Sequence, residues 1–228
     1  MASSEKKENM LIHSNRETLY RFLGRIYKTE VDRALLDRMM DMRFPVGRRD
    51  AELEEGYRLL EQYLGNPGGD PLTDLAVDYA RVFLGAGIAT YKAAYPYESV
   101  YTSKKRIVMQ EARDESVAAY LAKGLRKAET LDFPEDHIAL ELEFMAFMCV
   151  EARQAAEAGD KQALGNCCEE QLDFLNRHLL NWTPEFCGDI EKFAATSFYK
   201  AIAKITGGYL RMDCAFLEGL YSKKTIPF

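Results

Sequence analysis

Asp136, His137 and Glu141 are the side chains in this sequence best placed to do chemistry. They belong to the segment Phe133-Pro134-Glu135-Asp136-His137-Ile138-Ala139-Leu140-Glu141-Leu142-Glu143-Phe144-Met145, and the chain has only three histidines in all. On a helix, positions i and i+4 face the same way, so His137 and Glu141 are expected to stack, with Asp136 on a neighbouring face of the first turn. Two ligands begin a metal site, but zinc takes three or four, and His13 and His178 stand in unrelated contexts. A His–carboxylate pair also suits acid–base work, which makes a helical enzyme or metal protein using His137 and Glu141 the alternative reading. No nucleophile elbow, phosphate loop or dinucleotide fingerprint accompanies the pair. A plainer reading has Asp136 bonding backbone amides and His137 as a satisfied buried histidine. Recognition is the fourth reading: carboxylates pair with Arg or Lys, and an aromatic-lined groove accepts a helical or extended apolar segment. Tyr79 and Phe83, at i and i+4, could form part of such a wall or simply pack the core. Pattern alone leaves these readings open.

Charge favours basic ligands near this segment. The chain carries 30 Lys+Arg against 36 Asp+Glu, a net charge of −6, which argues against a nucleic-acid partner. Within 129–160, nine acidic residues face Arg153 alone. That run suits a basic peptide, or it is a solvated helix face. Five cysteines (Cys149, Cys167, Cys168, Cys187, Cys214) form no CxxC pair, and most fit helical patterns as small apolar residues. A reducing cytoplasm is the expected compartment. Met1 to Asn9 is polar, offering no apolar signal region, and no run approaches the roughly 18 apolar residues of a membrane span. Arg48-Arg49 is internal and lacks the apolar stretch of an export signal.

The elements that must hold these residues are helical nearly throughout. Ser14-x-x-Glu17 reads as a capping box opening a helix with Leu19, Phe22, Leu23, Ile26 and Tyr27 on its apolar face. Further helices run through Leu35–Met40 and Leu53–Leu64. Asp70-Pro71 then caps one that ends at Leu84-Gly85. Residues 85–103 form a loop rich in Tyr and Pro, and helix resumes around Lys104–Leu121. The helix after Pro134 is apolar on most of its circumference, so it is expected to be buried, with its polar first turn at a surface or cleft. Gly159-Asp160 restarts a helix to His178, Thr183-Pro184 caps another, and a last helix reaches Leu220. No period-2 run signals a strand. The class is all-α: a single globular bundle of about ten helices, residues 14–228, after a flexible N-terminus over 1–13. A hinge near 122–132 allows two lobes, 14–121 and 133–228, and with them a monomer or a domain-swapped dimer.

Four ordered segments resemble the TorD/DmsD/NarJ family of molybdoenzyme maturation chaperones. They are Asp78-Tyr79-Ala80-Arg81-Val82-Phe83-Leu84-Gly85, Tyr95-Pro96-Tyr97-Glu98-Ser99-Val100-Tyr101, Pro134 to Met145, and His178-Leu179-Leu180-Asn181-Trp182-Thr183-Pro184-Glu185-Phe186 followed by Phe198-Tyr199. The resemblance implies an all-helical cytoplasmic chaperone, with no catalytic residue, metal or cofactor of its own. It would bind the twin-arginine signal peptide and the apo form of a molybdenum oxidoreductase catalytic subunit, beside molybdenum-cofactor biosynthesis proteins. Carried over by position, Asp136 and His137 match the peptide-binding pair, and Tyr79 and Phe83 match aromatic positions on a facing helix. Tyr97, Glu98 and Ser99 belong to the loop signature, with Glu141 as a neighbour. Arginines of the peptide would then meet an acidic surface at Glu135, Asp136 and Glu141.

Overall fold

The computed structural model describes residues 2–44, 50–86 and 93–222. Among these residues ten α-helices occur, with no strand longer than one isolated bridge: α1 Ala2–Lys28, α2 Arg33–Asp41, α3 Ala51–Gly65, α4 Pro71–Leu84, α5 Glu98–Thr102, α6 Glu111–Ala122, α7 Ile138–Ala158, α8 Lys161–Phe174, α9 Thr183–Phe193 and α10 Ser197–Ser222. The expected all-α bundle is what forms. Tyr91 and the Arg48-Arg49 pair lie outside the described residues.

Aspartates cap four of the helix starts. Asp32, Asp50, Asp70 and Asp160 each accept a backbone N–H from the first turn of the helix that follows, satisfying donors with no partner inside the helix. Pro71 occupies the first position of α4, where its missing N–H costs nothing. Gly85 and Gly159 end α4 and α7 in the left-handed conformation that a Cβ disfavours. Three starts differ from expectation. The helix assigned to a capping box at Ser14 already runs from Ala2, so residues 2–13, expected to be flexible, continue it and His13 is buried inside the protein. The Lys104 region turns, and α6 begins only at Glu111. Thr183 lies inside α9, whose cap is Trp182.

The core is one continuous apolar cluster to which elements on both sides of the 122–132 link contribute. The main packing pairs are α1 on α7, α3 on α10 and α7 on α8. At the α3–α10 crossing the backbones nearly touch: a Cβ on Gly208 would lie 2.7 Å from the Leu53 nitrogen, and one on Gly56 2.8 Å from the Ile205 nitrogen. Helix α7 is apolar on most of its circumference, as its sequence indicates, and packs against both α1 and α8.

Candidate functional site

Two helix starts are clipped side by side. The chain returning toward α5 is pinned to the end of α4 by the Ala94 N–H donating to the Val82 carbonyl at 2.8 Å. Tyr95 and Phe133 each precede a proline, which biases both away from helix. Tyr97 and His137, the residues capping α5 and α7, are both extended and pair as an antiparallel bridge. Around it Ile138 N–H donates to the Pro96 carbonyl (2.9 Å) and Glu98 N–H to the Asp136 carbonyl (3.0 Å). Tyr97 has no short side chain with which to cap α5. Asp136 does so from the other segment, its Oδ2 accepting the Ser99 N–H at 2.9 Å. Ser99 Oγ in turn accepts the Gln110 N–H at 3.1 Å, tying α6 to the same point.

Three carboxylates meet here: Asp136 and Glu141 at 0% exposure and Glu98 at 2%. Glu98 Oε2 lies 3.0 Å from His178 Nδ1, and its Oε1 accepts from Asn181 Nδ2 at 3.2 Å. Glu141 Oε2 accepts the indole N–H of Trp182 at 3.2 Å. Asp136 Oδ1 and Glu141 Oε1 have no donor from the protein. Burial first, then the charges of Glu98 and Asp136, push the Glu141 carboxyl well above the carboxylate range. A hydrogen bond to Glu98 adds to this upward shift, and burial of like charges together favours the protonated form of Glu141. His178 is carried by the π-turn Leu175–Leu179 and stacks on Phe174 with ring centres 4.7 Å apart. Such turns are frequent at functional sites.

His137 and Glu141 do not act as a stacked pair. His137 stands before the helix as its cap, with Nδ1 accepting the Ala139 N–H at 3.1 Å. Its ring packs between Phe133 (4.3 Å) and Tyr97 (5.1 Å). Burial, with help from Lys28, lowers its pKa to about 3, so it is a neutral acceptor near pH 7. Glu141 turns instead to Trp182. Among the described residues no group of three or more His, Cys, Asp or Glu is arranged to hold a metal ion.

Tyr79 and Phe83 enter the core. The Tyr79 hydroxyl donates to the Tyr27 carbonyl at 2.9 Å, and Phe83 packs against Tyr27, Tyr79, Phe186 and Tyr199. Phe186 also meets Trp182, which stacks on Tyr101. Tyr79 and Phe83 therefore connect to the carboxylate cluster through aromatic rings and touch no open surface. The expected acidic surface also differs. Asp136 and Glu141 are buried, because the polar start of α7 lies under α5, and Glu135 is engaged by Arg113 at 2.6 Å and Lys127 at 3.6 Å. Of the eight residues matched to the family's site, only Tyr97 keeps part of its surface open. Sequence reading set His178 apart and gave no role to Asn181 or Trp182. Their signal was the fourth signature segment, which contains all three.

Beside the cluster a groove of about 360 Å³ runs between α6, α7 and α8 and ends at His178. Ala118, Ala119, Phe144 and Phe174 give it an apolar lining, and Glu115, Glu170 and Asp173 are exposed carboxylates among its residues; Glu170 pairs with Lys123 (2.5 Å) and Asp173 with Arg177 (3.5 Å), two cations of the same lining. A larger cavity of about 520 Å³ lies elsewhere, between the first turns of α1 and the α7–α8 junction.

A model of the nitrate reductase delta subunit family matches residues 47–188. The chain is 30% identical over 156 residues to a chaperone protein TorD of Vibrio cholerae serotype O1, covering 68% of this chain and 67% of the relative. A chaperone protein TorD of Shewanella pealeana is 24% identical over 217 residues, covering 89% and 90%. A crystal structure of a proposed redox enzyme maturation protein from Archaeoglobus fulgidus aligns over 89% of this chain and 93% of that one. Its TM-score is 0.46 at 20% identity, a likeness too loose to build on.

Proposed function

The chain belongs to the nitrate reductase delta subunit family, which groups it with TorD-type chaperones and not with enzymes, and from that premise we propose that it binds the twin-arginine signal peptide, or an equivalent N-terminal segment, of a molybdenum oxidoreductase. In this reading it works in the cytoplasm and holds the apo client until its cofactor is inserted. The observation that carries the proposal is the groove ending on His178, with apolar residues and exposed carboxylates in one lining. A signal peptide has matching parts: a pair of arginines and an apolar stretch. The stretch lies over Ala118, Ala119, Phe144 and Phe174, and the arginines meet Glu115 at the edge or replace Lys123 and Arg177 on Glu170 and Asp173.

The carried-over residues then act mostly from beneath. Glu98 fixes His178 and Asn181, Asp136 fixes Ser99, and Glu141 fixes Trp182, so the end of the groove is held rigid before any peptide arrives. His137, Tyr79 and Phe83 set the position of α7 and α4 behind them, and Tyr97 is the one of this group able to touch a ligand directly. Preorganisation of this kind lowers the ordering cost of binding.

Calorimetric titration with a synthetic twin-arginine signal peptide tests the proposal. We expect saturable binding of micromolar strength, about 8 kcal/mol in all, weakened at least tenfold by Ala118→Trp, which fills the groove, with the circular dichroism unchanged. Failure of the wild-type protein to bind the signal peptide of any molybdoenzyme encoded beside it defeats the reading. So would full-strength binding to the filled variant.

A further inference from the structure

Residues 104–109, Lys-Lys-Arg-Ile-Val-Met, are six consecutive exposed positions between α5 and α6. Ile107, Val108 and Met109 are 48%, 40% and 61% exposed, an unusual run of large apolar side chains on one tip. The tip is built to stay there. Arg106 and Met109 hold positive φ of 51° and 60°, a conformation that non-glycine residues keep only when their surroundings impose it. Gln110 imposes it in part, donating through Nε2 to the Val108 and Met109 carbonyls and through its backbone N–H to Ser99 Oγ. Arg106 adds a second anchor, bonded to Glu185 at 2.5 Å and lying over the Tyr101 ring at 5.4 Å. Lys104 and Lys105 have no ion-pair partner among the described residues.

A fixed convex tip that sets unpaired lysines beside three bare apolar side chains matches the surface of an anionic bilayer. The cations meet headgroup charge while the apolar residues enter the boundary with the acyl chains. A peptide partner calls for a concave seat, and none of Ile107, Val108 and Met109 lines the grooves described above. The acidic balance of the whole chain does not forbid this contact, since screening over about 8 Å at physiological salt leaves only nearby charges in play. The nearby acidic residues are Glu185, paired with Arg106, Asp189, bonded by the Tyr101 hydroxyl, and Glu111 and Asp114 at the start of α6, with Asp114 paired to Arg113. We propose that the 104–109 tip docks the protein, reversibly, on an anionic membrane surface.

Vesicle co-flotation with the full chain tests this. Vesicles containing phosphatidylglycerol should carry the protein, and vesicles of phosphatidylcholine alone should not. Raising the salt should release it. Lys104→Gln with Lys105→Gln should weaken binding roughly fivefold per lysine, and Ile107→Ser with Met109→Ser should weaken it without changing the salt dependence. The same pair of apolar changes at Val77 and Leu84, exposed on α4, should have no effect. Equal binding to both vesicle types overturns the proposal, as does full binding by both tip variants. Absence of binding to anionic vesicles, with capture of the tip by an acidic peptide instead, overturns it in favour of a protein partner.

Discussion

Replacing Asp136 separates its role as a hydrogen-bond acceptor from its role as a charge. Its Oδ2 is the acceptor for the Ser99 N–H, at a site with no exposed surface. In Asp136→Ala that amide is stranded in the interior, which costs about 1–3 kcal/mol. Loss of a carboxylate from a cluster that also holds Glu98 and Glu141 relieves like-charge repulsion and offsets part of this cost. Asp136→Asn keeps a carbonyl oxygen for Ser99 and gains the same relief, so it should sit within about 1 kcal/mol of wild type. For a domain of this size a loss of about 2 kcal/mol lowers Tm by roughly 4–8 °C. Urea unfolding at pH 7, read by circular dichroism, should show the midpoint of the Ala variant well below that of the Asn variant, with unchanged slopes. If Asn is as damaging as Ala, the charge and not the acceptor holds this site together, and the account of α5 being capped from a distant segment fails.

Two further predictions concern pH. Glu141 has its folded pKa raised, so its contribution to stability is complete below the unfolded pKa of about 4.3 and is lost as pH rises toward the folded value. Glu141→Gln keeps an acceptor for Trp182 and should gain on wild type as pH rises above the unfolded carboxylate value of about 4.3; a constant gap in urea midpoints would refute it. His137 has its folded pKa depressed to about 3, so its contribution is present above about 6.5 and is lost as pH falls. His137→Asn, still a competent helix cap, should flatten the acid limb of the stability profile by about 1.4 kcal/mol per pH unit at most; an unchanged limb would show that the imidazole is not held neutral.

Much of the fold was legible because local chemistry and tertiary packing agree. Asp70-Pro71, Gly85 and Gly159-Asp160 marked boundaries that the structure keeps, and the apolar circumference of α7 marked its burial. Ser14 misled because a capping-box spacing also occurs in the middle of a helix whose earlier turns are polar. His137 misled for a related reason: the residue after Asp136 took the cap position, which broke the expected i, i+4 stack with Glu141. Asp136 was readable as a bonder of backbone amides, yet the amide it bonds lies 37 residues away, beyond any local pattern. Glu98 and His178 are 80 residues apart, and a sequence carries no record of that meeting unless the segments are already known to travel together.

That separation has a consequence for synthesis. At about 5–20 residues per second, the 80 residues between Glu98 and His178 take roughly 4–16 s to make. During that interval the first carboxylate has no imidazole to meet, and Glu141 likewise waits for a tryptophan 41 residues downstream. Glu98 and Glu141 lack those partners until then, so withdrawing them from water earlier is disfavoured. Closure then comes as one late event, after Trp182 has emerged, and not as a gradual accretion. A protein assembled in this order has no half-made version of its groove to offer: capacity to engage a client arrives together with completion of its own fold.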